Sequence, residues 1–576
     1  MAPRCSSWLL AASPSNQPNV GYGTLAALVL FIIASMWIGM IANKAMQSGS
    51  FMKGFFLGNR GLGAWALALT ATVQSGGTFM GFPSLVYTHG WIVALWICSY
   101  MVVPITGFGV LGKRLAQLSR KTGALTVPDI FRARFNSPSL GLTASLFIMF
   151  YMSFMMVAQF KAGALVMKLA WPGSGLLALT EEVSGSGGLG TAYYIGLGVF
   201  TLTVVSYTLL GGFLAAVWTD LFQSVMMLVG VMILLVLALQ HAGGMEQATR
   251  QAVENTDPAT AAYAFGPGYD DPKVNPPNPQ GPAKPMAFDK DRPREFMPLG
   301  LAVSFFFVWV YSGFGSPAGM VRIMAGKSTG VIRRSIYLLS GYNLLIYIPL
   351  IIICICGRAM IPGLGDKTDE IIPQMALRTT QDLPGGSFLA GLILAAPFGA
   401  VMATVSSYLV VIASGLVRDV YQRFINPHAG THDLRRLSYL AMIAVGAIAV
   451  LANIDPPRYL QAVVVFSGTG TAATFCVPAL MLAYWRRATE RGMLASMITG
   501  AATVMSLYVV GFLGLAGEQR IGQFTGFRPY FLLDLDPLLW GLAVSLVSGI
   551  AVSLCTAPPE ADLVSRLFDA EQKPAS

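Results

Sequence analysis

The sequence predicts an all-α polytopic membrane protein of about 13 transmembrane helices, and three observations carry the prediction. Hydrophobic residues make up 55% of the 576-residue chain and charged residues only 11%, against roughly 25% charged in a soluble domain. Mean hydropathy is +0.62, and apolar runs of about 20 residues, long enough to cross the roughly 30 Å hydrocarbon core, recur along the chain. The basic residues gather in alternate connections between those runs. The net charge of +10 is therefore a matter of topology and does not imply nucleic acid.

Taken in order, the spans fall at about 22–43, 62–86, 91–111, 140–168, 191–210, 213–240, 297–318, 336–356, 388–416, 437–453, 460–484, 494–515 and 537–555. One set of connections carries Lys113, Arg114, Arg120, Lys121, Arg132 and Arg134. Later members of that set hold Arg322, Lys327, Arg333 and Arg334, then Arg418, Arg423, Arg435 and Arg436, then Arg486, Arg487 and Arg491. The opposite connections 87–90 and 169–190 contain no Lys or Arg. Positive charge stays on the cytoplasmic side, which sets N-out, C-in in a cell membrane. Residues 1–21 read as an external tail and 557–576 as a short cytoplasmic one. The six cysteines show neither metal-type spacing nor a paired external set, so no disulfide framework is expected.

Residues 241–296 break the apolar pattern with nine prolines, six basic and eight acidic residues. That composition favours an extended external loop over a packed domain. It divides the chain into 22–240 (an extra first helix and a first repeat) and 297–484 (a second repeat), followed by a two-helix extension at 485–556. Each repeat opens with an interrupted span: Gln74-Ser75-Gly76-Gly77 in the first, Ser312-Gly313-Phe314-Gly315-Ser316-Pro317 in the second. Five spans per repeat invert the second relative to the first. Breaks at matching places in inverted repeats point to a transporter whose site lies at the midplane. A single Gly-rich span would read as close helix packing; two at matching places favour a binding site.

The most specific stretch runs "GTAYYIGLGVFTLTVVSYTLLGGFLA" from Gly190 to Ala215. It resembles the signature of the sodium:solute symporter family, a small-residue helix ending in Tyr-Thr-x-x-Gly-Gly-Phe-x-Ala. The likeness continues through "GNRGLGAW" (58–65), "SPAGMVRIMAGKS" (316–328) and "LAAPFGAVMATVSSYLVVIASGLVRDVY" (394–421). A second signature near "RRATERGMLASMITG" (486–500) is met in part, with Met493 where Ala is usual. "ATVQSGGTFMGFP" (71–83) and 110–135 look closest to the pantothenate and monocarboxylate branch.

The resemblance implies a LeuT-type 5+5 inverted-repeat fold and sodium-coupled uptake of a small organic solute, a carboxylate such as pantothenate or a monocarboxylate. It assigns Na+ to the carbonyls of Ala71 and Gln74, the carbonyl of Ala400 and the hydroxyl of Thr404, with Asp220 near this site or at a second cation position. The family's usual Ser or Thr at the position before Thr404 is Ala403 here, which removes one hydroxyl; Ser407 lies one turn further along. Unwound backbone supplies such carbonyls because no helix consumes them. A helix N-terminus at the break offers N–H groups and positive dipole to an anion, so Ser75, Gly76, Gly77 and Thr78 are candidates for the solute. Trp309, Tyr311 and Ser312 are candidates on the opposite side.

Lys161 lies about ten residues before the end of its span, hence roughly 15 Å deep. It reads equally as a snorkelling side chain and as a fixed cation facing the cavity, for a solute carboxylate or in sodium's electrostatic place. Alternatives to sodium symport are a sodium-independent or proton-coupled transporter and a transporter-derived membrane sensor. No enzyme motif is present: the four histidines, His89, His241, His428 and His432, form no cluster. Lipid is the implied surrounding, and neither nucleic acid nor an obligate protein partner is expected.

Overall fold

The computed structural model describes residues 20–45, 60–71, 75–172, 190–256, 299–457, 460–515 and 528–568. Ten helices among them are long and apolar enough to cross a membrane, and they fall on ten of the thirteen predicted spans. The other three predicted spans are those whose helix is interrupted. Span two divides into α2 (Ala64–Ala71) and, beyond a π-helical turn at Gly77–Gly81, α3 (Phe82–His89). In span three, α4 (Val93–Val103) meets Pro104 and widens into a π-helix to Gly112 before α5 (Lys113–Thr122). Proline has no N–H to give the preceding turn, which disrupts the α-helical ladder. Span seven divides into α10 (Leu299–Gly315) and α11 (Pro317–Ala325), with Ser316 capping the second half through Gly319 N–H.

The uninterrupted helices are α1 (Tyr22–Ala45), α7 (Pro138–Ala170), α12 (Thr329–Met360), α14 (Gly386–Ser414), α15 (Thr431–Leu451), α16 (Leu460–Tyr484), α17 (Glu490–Phe512) and α18 (Pro537–Cys555). Spans five and six form α8 (Gly190–His241), which turns sharply at Gly212, φ 56° and ψ −158°. The Gly pair predicted to permit this connection does so with the left-handed φ that glycine tolerates. Helix α12 starts seven residues before its predicted span because Ser328 caps it through Val331 N–H and its first turns carry Arg333 and Arg334. Helices α14 and α16 are the most enclosed of the membrane-crossing segments.

Short elements fasten the two faces. On the cytoplasmic side, α6 (Val127–Phe135) presents Asp129 to Arg418 at 2.9 Å and Arg423 at 3.1 Å. Leu62 and Gly326 form a β-bridge: Leu62 N–H donates to Ala325 O at 3.2 Å, and Lys327 N–H to Leu62 O at 3.0 Å. The cytoplasmic ends of the two broken spans are thereby joined. On the external side, a 3₁₀ turn (Gly365–Glu370) and α13 (Ile371–Thr380) lie between α12 and α14. The chain closes with α19 (Ala561–Phe568).

Two expectations are corrected. The segment after 241 was expected to be extended, yet its first part is α9 (Met245–Glu254), with Ala248, Ala252 and Val253 buried. Its prolines begin only at Pro258, so nothing prevents an amphipathic turn from packing first. Residues 257–296, like the tail at 1–19, lie outside the described residues. Arg322 and Arg134, assigned from the sequence to connections between spans, lie in α11 and α6 and are 2% and 0% exposed, because each finds partners inside the protein.

Small residues set how closely helices approach. A Cβ on Gly391 of α14 would lie 2.3 Å from the Thr24 carbonyl oxygen of α1, whereas a Cβ on Gly198 meets nothing within 4 Å. Gly391→Ala must push backbone from backbone, and overpacking of this kind costs about 1–3 kcal/mol. Thermal unfolding in detergent is expected to show a lowered midpoint for Gly391→Ala and the parental midpoint for Gly198→Ala.

Candidate functional site

The first break survives in an apolar bundle because the backbone donors from Ser75 to Phe79 are taken up. Gly76 N–H donates to Gln159 Oε1 of α7 at 2.7 Å, and Gly77 N–H to the Ser75 hydroxyl at 3.1 Å. Ser75 O accepts from Thr78 N–H at 2.9 Å and from Phe79 N–H at 3.2 Å. A helix N-terminus leaves four N–H groups without intrahelical partners, and here Ser75 and Gln159 supply the substitutes. The N–H groups expected to lie open for an anion are thus engaged. The second break needs room: a Cβ on Gly315 would lie 2.5 Å from Ala472 Cα, so α10 presses directly on α16.

Between the breaks lies a cavity lined by Ser75, Gly77 and Thr78 of the first and by Trp309, Ser312 and Ser316 of the second. Its aromatic wall joins three helices. Tyr100 packs on Tyr347 at 4.7 Å between ring centroids and on Trp309 at 5.5 Å, and Tyr347 Oη lies 3.2 Å from Thr78 Oγ1. Opposite it, Gln461 of α16 presses on the π turn: a Cβ at Gly81 would meet its Oε1 at 2.2 Å. Ser312 Oγ and Gln461 Oε1 are buried with no hydrogen-bond partner among the described residues. Among the described residues no charged side chain lines the cavity. Gly76 sits behind the lining against Ala162 and Gln159, and Tyr311 stacks on Phe307 at 5.6 Å.

On the far side of the first break, Ala400 and Thr404 are fully buried on α14, and the Thr404 hydroxyl reaches Ala400 O at 3.0 Å. Two oxygens are thus held side by side, the ligand type a hard cation takes. Ala71 ends α2; Gln74 lies outside the described residues. Ser224 of α8 donates to Leu69 O at 2.8 Å, fixing the end of α2 beside that helix. One turn earlier, Asp220 forms a buried ion pair with Arg322 of α11 at 2.8 Å, and the same guanidinium donates to Ser407 Oγ at 2.6 Å. The Asp220 carboxylate and the Ser407 hydroxyl are therefore engaged by an arginine.

Lys161 does not line the cavity. Its Nζ lies 2.7 Å from Asp369 Oδ2, and both side chains are 5% exposed. Asp369 also accepts Leu460 N–H, at the start of α16, at 3.3 Å. Its neighbour Thr368 lies 2.6 Å, hydroxyl to hydroxyl, from Ser84 of α3. The 3₁₀ turn is thereby seated on α7, α16 and the broken span at once. Gln159, Gln461, Tyr347 and Asp369 were not singled out from the sequence. The two glutamines carried a usable signal, a polar side chain at membrane depth; Asp369 lies in a connection between spans, where an acidic residue carries no such signal.

Two interrupted helices facing one polar cavity at the heart of a membrane bundle define a secondary transporter. The chain belongs to the sodium:solute symporter family, whose model matches residues 55–500. It is 28% identical to the sodium/pantothenate symporter of Escherichia coli (strain K12) over 520 residues, covering 89% of this chain and 95% of that protein. With the sodium/pantothenate symporter of Haemophilus influenzae it shares 28% over 497 residues, 85% and 91% of the two chains. The sodium/proline symporter of Escherichia coli (strain K12) is 25% identical over 504 residues, 85% and 89% of the two chains. The solved outward-open structure of a Na+-coupled sialic acid symporter matches in fold, with TM-score 0.65 and 18% identity over 94% of this chain and 99% of that one.

Removing one partner of a buried ion pair costs about 3–5 kcal/mol, while replacing both by apolar residues is often neutral. Lys161→Met and Asp369→Asn are each expected to lose stability in denaturant, and Lys161→Met with Asp369→Leu to recover most of it. A loss in the double variant equal to the sum of the two single losses would show that the two side chains act independently.

Proposed function

We propose that the chain imports a small organic carboxylate of the pantothenate or monocarboxylate class, coupled to sodium, by alternating access. The observation that carries the substrate class is the cavity's chemistry. Among the described residues it combines hydroxyl, amide and aromatic groups with unpaired Ser312 Oγ and Gln461 Oε1, and has no acidic side chain. An ammonium-bearing solute finds no carboxylate partner there, whereas a hydroxyl- or amide-bearing acid finds hydrogen-bonding groups. Buried polar atoms left unmade are costly, so a solute that supplies partners gains from entering. Its carboxylate takes the acceptor place beside Gly77, which lines the cavity, that the Ser75 hydroxyl holds in this structure. Similarity to the two sodium/pantothenate symporters supports the same class.

For sodium, the reading places the ion between the end of α2 and Ala400 and Thr404 of α14. Arg322 holds Asp220 and Ser407 alongside, so their charge and hydroxyl serve the joint between α8, α11 and α14. With Ala403 unable to contribute a hydroxyl, Thr404 is the one side-chain oxygen in the proposed set.

Uptake of labelled pantothenate, lactate and proline into proteoliposomes, with and without an inward sodium gradient, tests the proposal. Sodium-driven uptake of one of the two acids but not of proline is expected; uptake indifferent to sodium would overturn the coupling. A hydrogen bond or ligand to a charged group is worth about 1.5–3 kcal/mol. Thr404→Ala is therefore expected to raise the sodium concentration for half-maximal uptake about tenfold or more, and Thr404→Ser to leave it near the parental value.

A further inference from the structure

Two walls of the cavity converge on the cytoplasmic side, and the last described residue of the chain sits beneath their junction. One wall is α4 with its π extension, contributing Tyr100, Val103 and Phe108; the other is α16, contributing Gln461, Ser467 and Thr471. Below the cavity the walls touch. Tyr484 Oη donates to Val110 O, and Arg114 Nε donates to Ala483 O at 3.3 Å.

The ring of Phe568 closes over this contact. Its centroid lies 5.2 Å from the guanidinium carbon of Arg114 on α5, 5.0 Å from that of Arg134 on α6, and 5.5 Å from that of Arg486 just past α16. Arginine over an aromatic face is attracted by the ring quadrupole, more strongly where water is excluded. Arg134 is fully buried, and its Nε and Nη1 have no hydrogen-bond partner among the described residues. Its Nη2 donates to Arg486 O at 3.3 Å, and the rings of Phe568 and Phe135 lie against the rest of the guanidinium. Lys121 of α5 donates to the carbonyls of Arg566 and Leu567 at 3.2 and 3.4 Å, at the C-terminal end of α19 where the helix dipole favours a cation. Leu567 is buried beside them.

We propose that α19 is a cytoplasmic staple. Its Phe568 holds the α4–α5 wall to the α16 wall, and the rate at which the cavity opens to the cytoplasm is set by release of this helix. The chain reaches the site through Ala557-Pro558-Pro559-Glu560, a tether that leaves α19 free to lift without disturbing α18. The proposal rests on the cavity being the solute path, but its test needs no solute.

A single cysteine at Phe108, with the six native cysteines replaced, reports opening through its labelling by a membrane-impermeant maleimide in inside-out vesicles. Phe568→Ala, and the chain ended at Ala557, are each expected to label about five- to tenfold faster than the parent, with Phe568→Trp at the parental rate. Phe568→Leu keeps apolar bulk and removes the quadrupole, and is expected to follow Phe568→Ala. Parental labelling in both Phe568→Ala and the shortened chain would overturn the staple. If the shortened chain fails to fold, Phe568→Ala alone decides. Parental labelling in Phe568→Leu would overturn the part assigned to the arginines. Absence of sodium-driven uptake of any acid would defeat the functional reading and leave the labelling result standing.

Discussion

A helix can be interrupted inside a membrane only if something else satisfies the backbone groups it abandons. The bond from Gly76 N–H to Gln159 is the contact on which this requirement turns. It lets the first repeat carry an unwound segment in an apolar bundle, and it anchors that segment to α7, a helix from outside the broken span. Everything polar near the midplane follows from having the break there. Ser75 and Thr78 can line a cavity because the helical ladder no longer claims them. The second break obeys the same rule by another means, with Ser316 capping α11 and Pro317 lacking the N–H that would need a partner.

Around these breaks the protein spends charge sparingly and in pairs. Asp220 with Arg322, and Lys161 with Asp369, are buried ion pairs on opposite sides of the site. Each pair joins a first-repeat helix to a second-repeat segment, and each is backed by a further contact, to Ser407 in one case and to Leu460 N–H in the other. Buried pairs of this kind contribute little net stability but make mispaired arrangements expensive. They register one repeat against the other while leaving the cavity between them uncharged.

The chain announces its spans plainly, because lipid demands long apolar helices and the sequence has few other features. The breaks were legible for the same reason in reverse: Gly, Ser and Pro inside an apolar run stand out, as does the Gly pair that turns at Gly212. What could not be read was pairing. Gln159 and Gly76 are 83 residues apart, Arg322 and Asp220 are 102, and Lys161 and Asp369 are 208. A polar residue at membrane depth declares that it needs a partner without saying which. Arg322 was misplaced on that account, since an arginine shortly after a span end looks like an ordinary cytoplasmic base until Asp220 is seen beside it. Asp369 was overlooked because an acidic residue in a connection normally meets water.

The bridge between Leu62 and Gly326 has a mechanical meaning. Backbone hydrogen bonds run both ways across it, so the cytoplasmic halves of the two broken spans, α2 and α11, share a rigid joint at their far ends. Neither half can tilt without drawing the other along. Two hinges, one at each break, therefore behave as a single degree of freedom. A disturbance at the first break reaches the second through the lever that connects them, whether or not any side chain lies between.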